Sequence, residues 1–184
     1  VRWFVFGDGR SGIVYDERGL PVGHDPHLFA DLDAALEIAG SVGIRLNLVL
    51  LDHHWMFKGI PDVVADPTGG DLFKTRLPEG RSRVLRTRLG REMLATNVIA
   101  PLVSRFGHRG VRADLGAHVF AFEFMNEPDF IVEEWEQHLS PRVRRPLGFA
   151  PLAEMVSWLS EIVHTQTTAF STMSCARLDN LWAW

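Results

Sequence analysis

Phe122-Glu123-Phe124-Met125-Asn126-Glu127-Pro128 closes an apolar run that begins at Ala117. The run has the length and aromatic content of a strand, and the proline ends its pairing. Alternation along an extended chain puts Val119, Ala121, Glu123, Met125 and Glu127 on one face and Phe120, Phe122 and Phe124 on the other. The phenylalanines suit packing beneath helices. The opposite face carries two carboxylates, and Glu127 stands where the chain leaves the sheet.

Working outward, the same kind of segment recurs at Val1 to Phe6 and Ile44 to Leu51, and more weakly at Phe170 to Cys175. Helical patterns lie between them. Asp25-Pro26 offers an oxygen cap followed by proline at a first helical position, and Leu28, Leu32, Ala35, Leu36 and Ala39 follow at helical spacing until Gly40 and Gly43 close the element. A second helix is predicted near Leu89 to Phe106, stopped by Gly107, with Pro101 kinking it. A third spans about Pro151 to His164, with Leu152, Met155, Val156, Leu159 and Val163 on one face. Alternating apolar strands and amphipathic helices imply a parallel sheet covered by helices. The connections leaving the strands, near Gly7, Asp52 and Asn126, are long, while two of the three returning connections are short. Long loops on one rim are how a β/α barrel builds its active site, and a full barrel needs eight strands and about 250 residues. With four strands in 184 residues, the fold expected is α/β: one partial TIM (β/α)₈ barrel over residues 1–184, truncated at both ends. A first segment that is already a strand, without a methionine, points the same way. Exposed strand edges and an apolar interior would then favour self-association.

Composition excludes several other classes. The hydrophobic fraction is 46% and the net charge −4, with an isoelectric point near 6.1. A sequence-blind nucleic-acid binder would need a net basic face. The basic stretches Lys74 to Arg91 and Arg142 to Arg145 read as solvated surface. One cysteine, Cys175, rules out an internal disulfide framework. Neither a signal peptide nor a membrane-length apolar run is visible, and the cell location stays open.

Asn126-Glu127-Pro128 after an apolar strand resembles the fourth-strand motif of clan A glycoside hydrolases, notably the family 5 cellulases and mannanases. The resemblance implies that Glu127 is the acid/base and that Asn126 hydrogen-bonds the sugar 2-hydroxyl. Arg2, in Val1-Arg2-Trp3, resembles the second-strand arginine that positions the family's nucleophile. His54, in Leu51-Asp52-His53-His54-Trp55, resembles the active-site histidine just beyond the third strand. Together these motifs cover essentially the whole chain, as strands two to five of such a barrel. They imply a retaining endo-β-glycosidase acting on cellulose- or mannan-type polysaccharide, with no cofactor. The family's nucleophile is a glutamate on the seventh strand, beyond this chain. Retention requires two carboxyl groups about 5–5.5 Å apart. Glu123, Asp8 and Asp52 are of the right type, but none stands at the nucleophile's position, so the chain alone is expected to be inactive. A non-catalytic barrel remnant or carbohydrate-binding scaffold would keep the same motifs.

Three further constellations carry possible chemistry. Gly7-Asp8-Gly9-Arg10-Ser11-Gly12, with Asp31 and Asp33 beyond it, spells a dinucleotide fingerprint, but that motif needs a helix to open at its third glycine. The next helix begins only near Pro26, so an active-site loop with Asp8 and Arg10 as sugar contacts is preferred to an NAD-dependent oxidoreductase. Asp52-His53-His54 suggests a metal, but adjacent histidines at a strand end are expected to point opposite ways, and no metal is assigned. Trp55 and Trp135, on the presumed rim, are read as sugar-stacking platforms. Trp158 is read as packing with Met155 and Ile162, Trp182 and Trp184 as either, and Cys175 as a buried inert thiol in the last strand.

Overall fold

The computed structural model describes residues 1–7, 12–57, 60–61, 75–77, 80–132 and 147–175. In chain order it comprises β1 (Arg2–Phe4), a hairpin of β2 (Ile13–Tyr15) and β3 (Pro21–His24), α1 (Leu28–Ser41), and β4 (Leu46–Asp52) with a 3₁₀ turn at His53–Phe57. A ribbon of β5 (Ile60–Pro61) and β6 (Thr75–Leu77) follows, then α2 (Gly80–Arg86), α3 (Arg88–Leu94), a π-helical turn at Ala95–Ile99 and α4 (Ala100–Phe106). The last part holds a 3₁₀ turn (Ala113–His118), β7 (Val119–Asn126), a 3₁₀ turn (Pro128–Phe130), α5 (Phe149–Gln166) and β8 (Phe170–Thr172).

β1, β4, β7 and β8 form one sheet in that order, every pairing parallel. Each strand thus lies beside the next in sequence with a helical crossover between, which is the arc of a (β/α) barrel, as the sequence predicted. The two short ribbons are insertions in the connections leaving β1 and β4. Both fall in stretches whose composition predicts loops; each ribbon strand is only two to four residues long, too short to show a pattern.

On its outer face the sheet buries Leu48, Leu50, Phe122 and Phe124 completely, against Leu36 of α1, Leu102 of α4 and Leu152 of α5. Each such side chain contributes roughly 1.5–3 kcal/mol. α1 starts as its sequence prescribes: the Asp25 carboxylate accepts the amides of His27 and Leu28 at 2.8 and 3.1 Å. It ends through Gly43, whose φ of +71° lets Ile44 N–H return to the Ala39 carbonyl at 2.9 Å.

Two local findings depart from simple periodicity. Pro101 does not kink a continuous helix. The turn before it widens into the π-helical Ala95–Ile99, and Pro101 takes an early position in α4, where its missing N–H costs little. The carbonyl of Val98 accepts from His24 Nε2 at 2.8 Å, tying the hairpin to this helix. In β7, the pairing with β4 steps from Leu46↔Val119 to Asn47↔Ala121, so Phe120 is the extra residue of a bulge. Alternation assigned Phe120 to the helix-covered face. Instead Val119 joins the buried core, and Phe120 is 47% exposed with its ring 5.4 Å from that of Phe170. Ala121 and Glu123 keep the inner face that alternation gave them.

Gly90 marks a tight packing point between α2 and α3. A Cβ there would lie 2.4 Å from the Val84 carbonyl oxygen and 2.6 Å from Val84 Cα, both backbone atoms. Gly90→Ala is expected to destabilise the fold by about 2 kcal/mol, although alanine is the better helix former by about 1 kcal/mol. Urea unfolding measures this; an unchanged or higher midpoint would show that α2 shifts away without cost. No helix among the described residues is long and apolar enough to cross a membrane.

Candidate active site

Because all four strands run parallel, their carboxyl ends share one rim, and Asp52 and Asn126 end β4 and β7 in register. Beneath that rim lies Glu123, only 3% exposed, on the inner face. Its carboxylate accepts from Arg2 Nη2 at 2.6 Å, Arg2 Nε at 3.2 Å, Asn47 Nδ2 at 2.8 Å and Ser174 Oγ at 2.7 Å. A carboxylate so buried and so fully bonded is an anchor for Arg2, not a reagent.

Arg2 Nη2 also donates to Asn126 Oδ1 at 2.8 Å, while Asn126 Nδ2 donates to Asp52 Oδ2 at 2.8 Å. Turning the amide round would set its NH₂ against the guanidinium and its oxygen against a carboxylate, so the network fixes its orientation. Arg2 and Asn126, predicted from separate motifs, are thus hydrogen-bonded partners.

Glu127 has φ +52° and ψ +50°, and it is the one non-glycine residue at positive φ among those described. Helical angles are further disfavoured before proline, and Pro128 follows directly. Such a conformation costs on the order of 1–3 kcal/mol and persists where surroundings impose it. Here the Glu127 carbonyl accepts from Phe130 N at 3.2 Å, and its amide faces Ser174 Oγ at 3.4 Å. The side chain is 37% exposed at the rim, with Oε2 3.5 Å from His53 Nδ1.

The histidines correct one expectation. β4 stops at Asp52, and the chain winds at once into the 3₁₀ turn, so His53 and His54 are not strand neighbours and do not diverge. Their ring centroids lie 4.1 Å apart. Both Nδ1 atoms approach Asp52 Oδ1: His54 through a hydrogen bond, His53 at 3.5 Å. Burial alone would raise the Asp52 carboxyl. The hydrogen bonds from the Asn126 amide and from the backbone N–H and ring of His54 outweigh that and hold it below the usual carboxylate range. For His53, burial prevails over the pull of Asp52 and Glu127 and keeps the imidazole below its ordinary value, so it is neutral at neutral pH.

His54, the predicted residue, holds Asp52 and is 57% exposed; the imidazole beside Glu127 is that of His53. The His53 ring packs at a tilt against Phe130, centroids 4.9 Å apart. Strand alternation, carried one residue past the end of β4, does not single out His53. Ser174, which bonds Glu123 and lies 3.2 Å from Asn126 Oδ1, was also missed, and nothing in the sequence around it signals that place.

Trp55 is a correction as well. Packed into the core by the 3₁₀ turn, it is 0% exposed and has no face to offer a sugar. Asp8, Arg10, Trp135, Trp182 and Trp184 lie outside the described residues. After Gly12 the chain enters β2 and forms no helix before α1, so the dinucleotide motif lacks the helix N-terminus its mechanism requires. Trp158 packs partly buried against the core, as expected. Cys175 is half-buried and falls just beyond β8 rather than within it.

No protein-family model and no curated protein matches the sequence. Solved structures do match the fold. The β-1,4-mannanase of the common sea hare Aplysia kurodai superposes with a TM-score of 0.67 at 10% identity, over 94% of this chain and 46% of that one. The β-1,4-D-mannanase of Cryptopygus antarcticus gives 0.67 at 15% identity, over 95% and 44%. The endo-1,4-β-mannanase of Eisenia fetida gives 0.64 at 17% identity, over 95% and 45%. The fold expected from the motifs, a partial barrel like that of mannanases, is therefore the fold observed. The chain spans less than half the length of the proteins it matches.

Proposed function

We propose that the chain supplies the acid/base half of a retaining endo-β-glycosidase that hydrolyses β-linked polysaccharide. The observation that carries this reading is Glu127 itself: a carboxylate in a strained backbone conformation, at the carboxyl-end rim of a β/α sheet, beside an asparagine whose amide is held at both ends. Glu127 protonates the departing glycosidic oxygen and later takes a proton from the attacking water. Asn126 orients the sugar 2-hydroxyl. Arg2 and Asp52 hold Asn126, His54 holds Asp52, and His53 sits against Glu127 as a neutral imidazole. The mannanase folds it resembles favour a mannan-type substrate over cellulose.

The nucleophile is expected at the seventh-strand position the family resemblance gives it; among the described carboxylates at the rim, Glu123 is saturated and Asp52 is committed to Asn126 and His54. The isolated chain should therefore release no reducing sugar from mannan or carboxymethylcellulose, whereas the complete reading frame, supplying a second strand-end glutamate, should. Measurable hydrolysis by the 184-residue chain alone would overturn this division of the site. The isolated chain also leaves Phe4, Phe120 and Phe170 exposed, and self-association through the edge strands is its expected behaviour in solution.

A further inference from the structure

The turn after β4 gathers more ligand chemistry than hydrolysis needs. Asp52, His53 and His54 each offer one donor atom, and these atoms lie within 4.8 Å of one another. Glu127 Oε2 stands 3.5 Å from His53 Nδ1, which is itself 3.5 Å from Asp52 Oδ1. In tetrahedral zinc sites, with bonds near 2.0–2.2 Å, neighbouring ligand atoms are roughly 3.4 Å apart. Two of the six edges of such a site are therefore near that length already; the exposed His54 ring, now hydrogen-bonded to Asp52 Oδ1, opens its edge by rotating outward, and Glu127, whose near contact is with His53, swings in from the rim. Asn126 Nδ2 steadies the outer Asp52 oxygen at 2.8 Å, the kind of support that orients a ligating carboxylate. Two imidazoles among the donors suit zinc-class ions and disfavour calcium and magnesium, which prefer oxygen ligands.

We propose that Asp52, His53 and His54 bind a zinc-class transition-metal ion, with Glu127 as fourth ligand, and that the bound ion inhibits hydrolysis by occupying the acid/base carboxylate. The ion takes the place of the proton shared between His54 Nδ1 and Asp52 Oδ1, and that proton leaves to solvent. A carboxylate bound to the metal can neither donate nor accept a proton at the glycosidic oxygen. The inhibitory part rests on the role proposed for Glu127; the binding part does not.

The test is calorimetric titration of Zn²⁺ into the chelator-treated 184-residue chain, without substrate. One ion per chain is expected, with affinity reduced at least tenfold by His54→Ala and unchanged by His108→Ala, an exposed histidine between α4 and the 3₁₀ turn that precedes β7. Circular dichroism checks that both variants fold. Equal affinity for wild type and His54→Ala, or equal losses in the two variants, would overturn the site. Glu127→Gln should weaken binding several-fold, and wild-type affinity in that variant would remove Glu127 from the ligand set and with it the inhibition. Because binding is read without turnover, its failure leaves the glycosidase reading standing. An active Glu127→Ala enzyme, conversely, would sink that reading and leave the ion in place.

Discussion

Glu127→Ala in the complete protein should lower turnover on polymeric mannan by about 10²–10⁴-fold, the usual contribution of a positioned general acid/base. The size of the loss alone would not identify the role, because losing a nucleophile or the fold also abolishes activity. The leaving group separates these cases. A sugar alkoxide cannot depart without a proton, whereas a nitrophenolate can. On a dinitrophenyl glycoside, formation of the glycosyl intermediate should thus be nearly normal in the variant. Water attack then becomes limiting because no base assists it, so the intermediate accumulates and the apparent KM falls. Added azide, which needs no base, should restore turnover and yield a glycosyl azide. Equal losses on both substrates with no azide response would reject Glu127 as the acid/base. The backbone offers a second check: Ser174→Ala removes the hydroxyl facing the Glu127 amide, and it should reduce the rate more mildly while preserving the same leaving-group dependence.

The architecture was legible because it depends on features that a single sequence displays. Apolar runs at Val1 to Phe6, Ile44 to Leu51 and Ala117 to Met125 read as strands of a parallel sheet, and α1 between the first two declared its ends through Asp25 and Gly43. Arg2, Asn126 and Glu127 were legible as motifs, although the hydrogen bond from Arg2 to Asn126 joins residues 124 positions apart and no local pattern encodes it. What escaped was decided by single-residue changes of phase. One extra residue in β7 turned Phe120 out of the packed layer. Ending β4 at Asp52 rather than beyond it drew His53 and His54 together and drove Trp55 into the core. Alternation is a reliable guide within a strand and misleading from its last residue onward, which is where a barrel keeps its chemistry.

Arg2→Ala should destabilise the chain by about 3 kcal/mol, despite removing a side chain that is 45% exposed. Removing one partner of a buried ion pair usually costs roughly 3–5 kcal/mol, because the remaining charge stays in a medium that solvates it poorly. The partial exposure of Arg2, and the donors Asn47 and Ser174 that remain on Glu123, place the effect at the lower end. If the cost arises from the stranded carboxylate, making that group neutral should recover part of it. Arg2→Ala/Glu123→Gln is therefore expected to be more stable than Arg2→Ala alone, with a coupling of at least about 1 kcal/mol in a double-mutant cycle. Additive losses would mean that Arg2 acts through packing, for instance through its guanidinium 5.5 Å from the centre of the Phe4 ring, and not through charge. Activity in the complete protein should separate from stability in the same variants. Asn126 loses its contact with Arg2 in both, so both should turn over mannan poorly even where the double variant regains its fold. Recovery of turnover in step with stability would show that Asp52 and Ser174 suffice to hold the Asn126 amide, and that Arg2 serves the fold rather than the reaction.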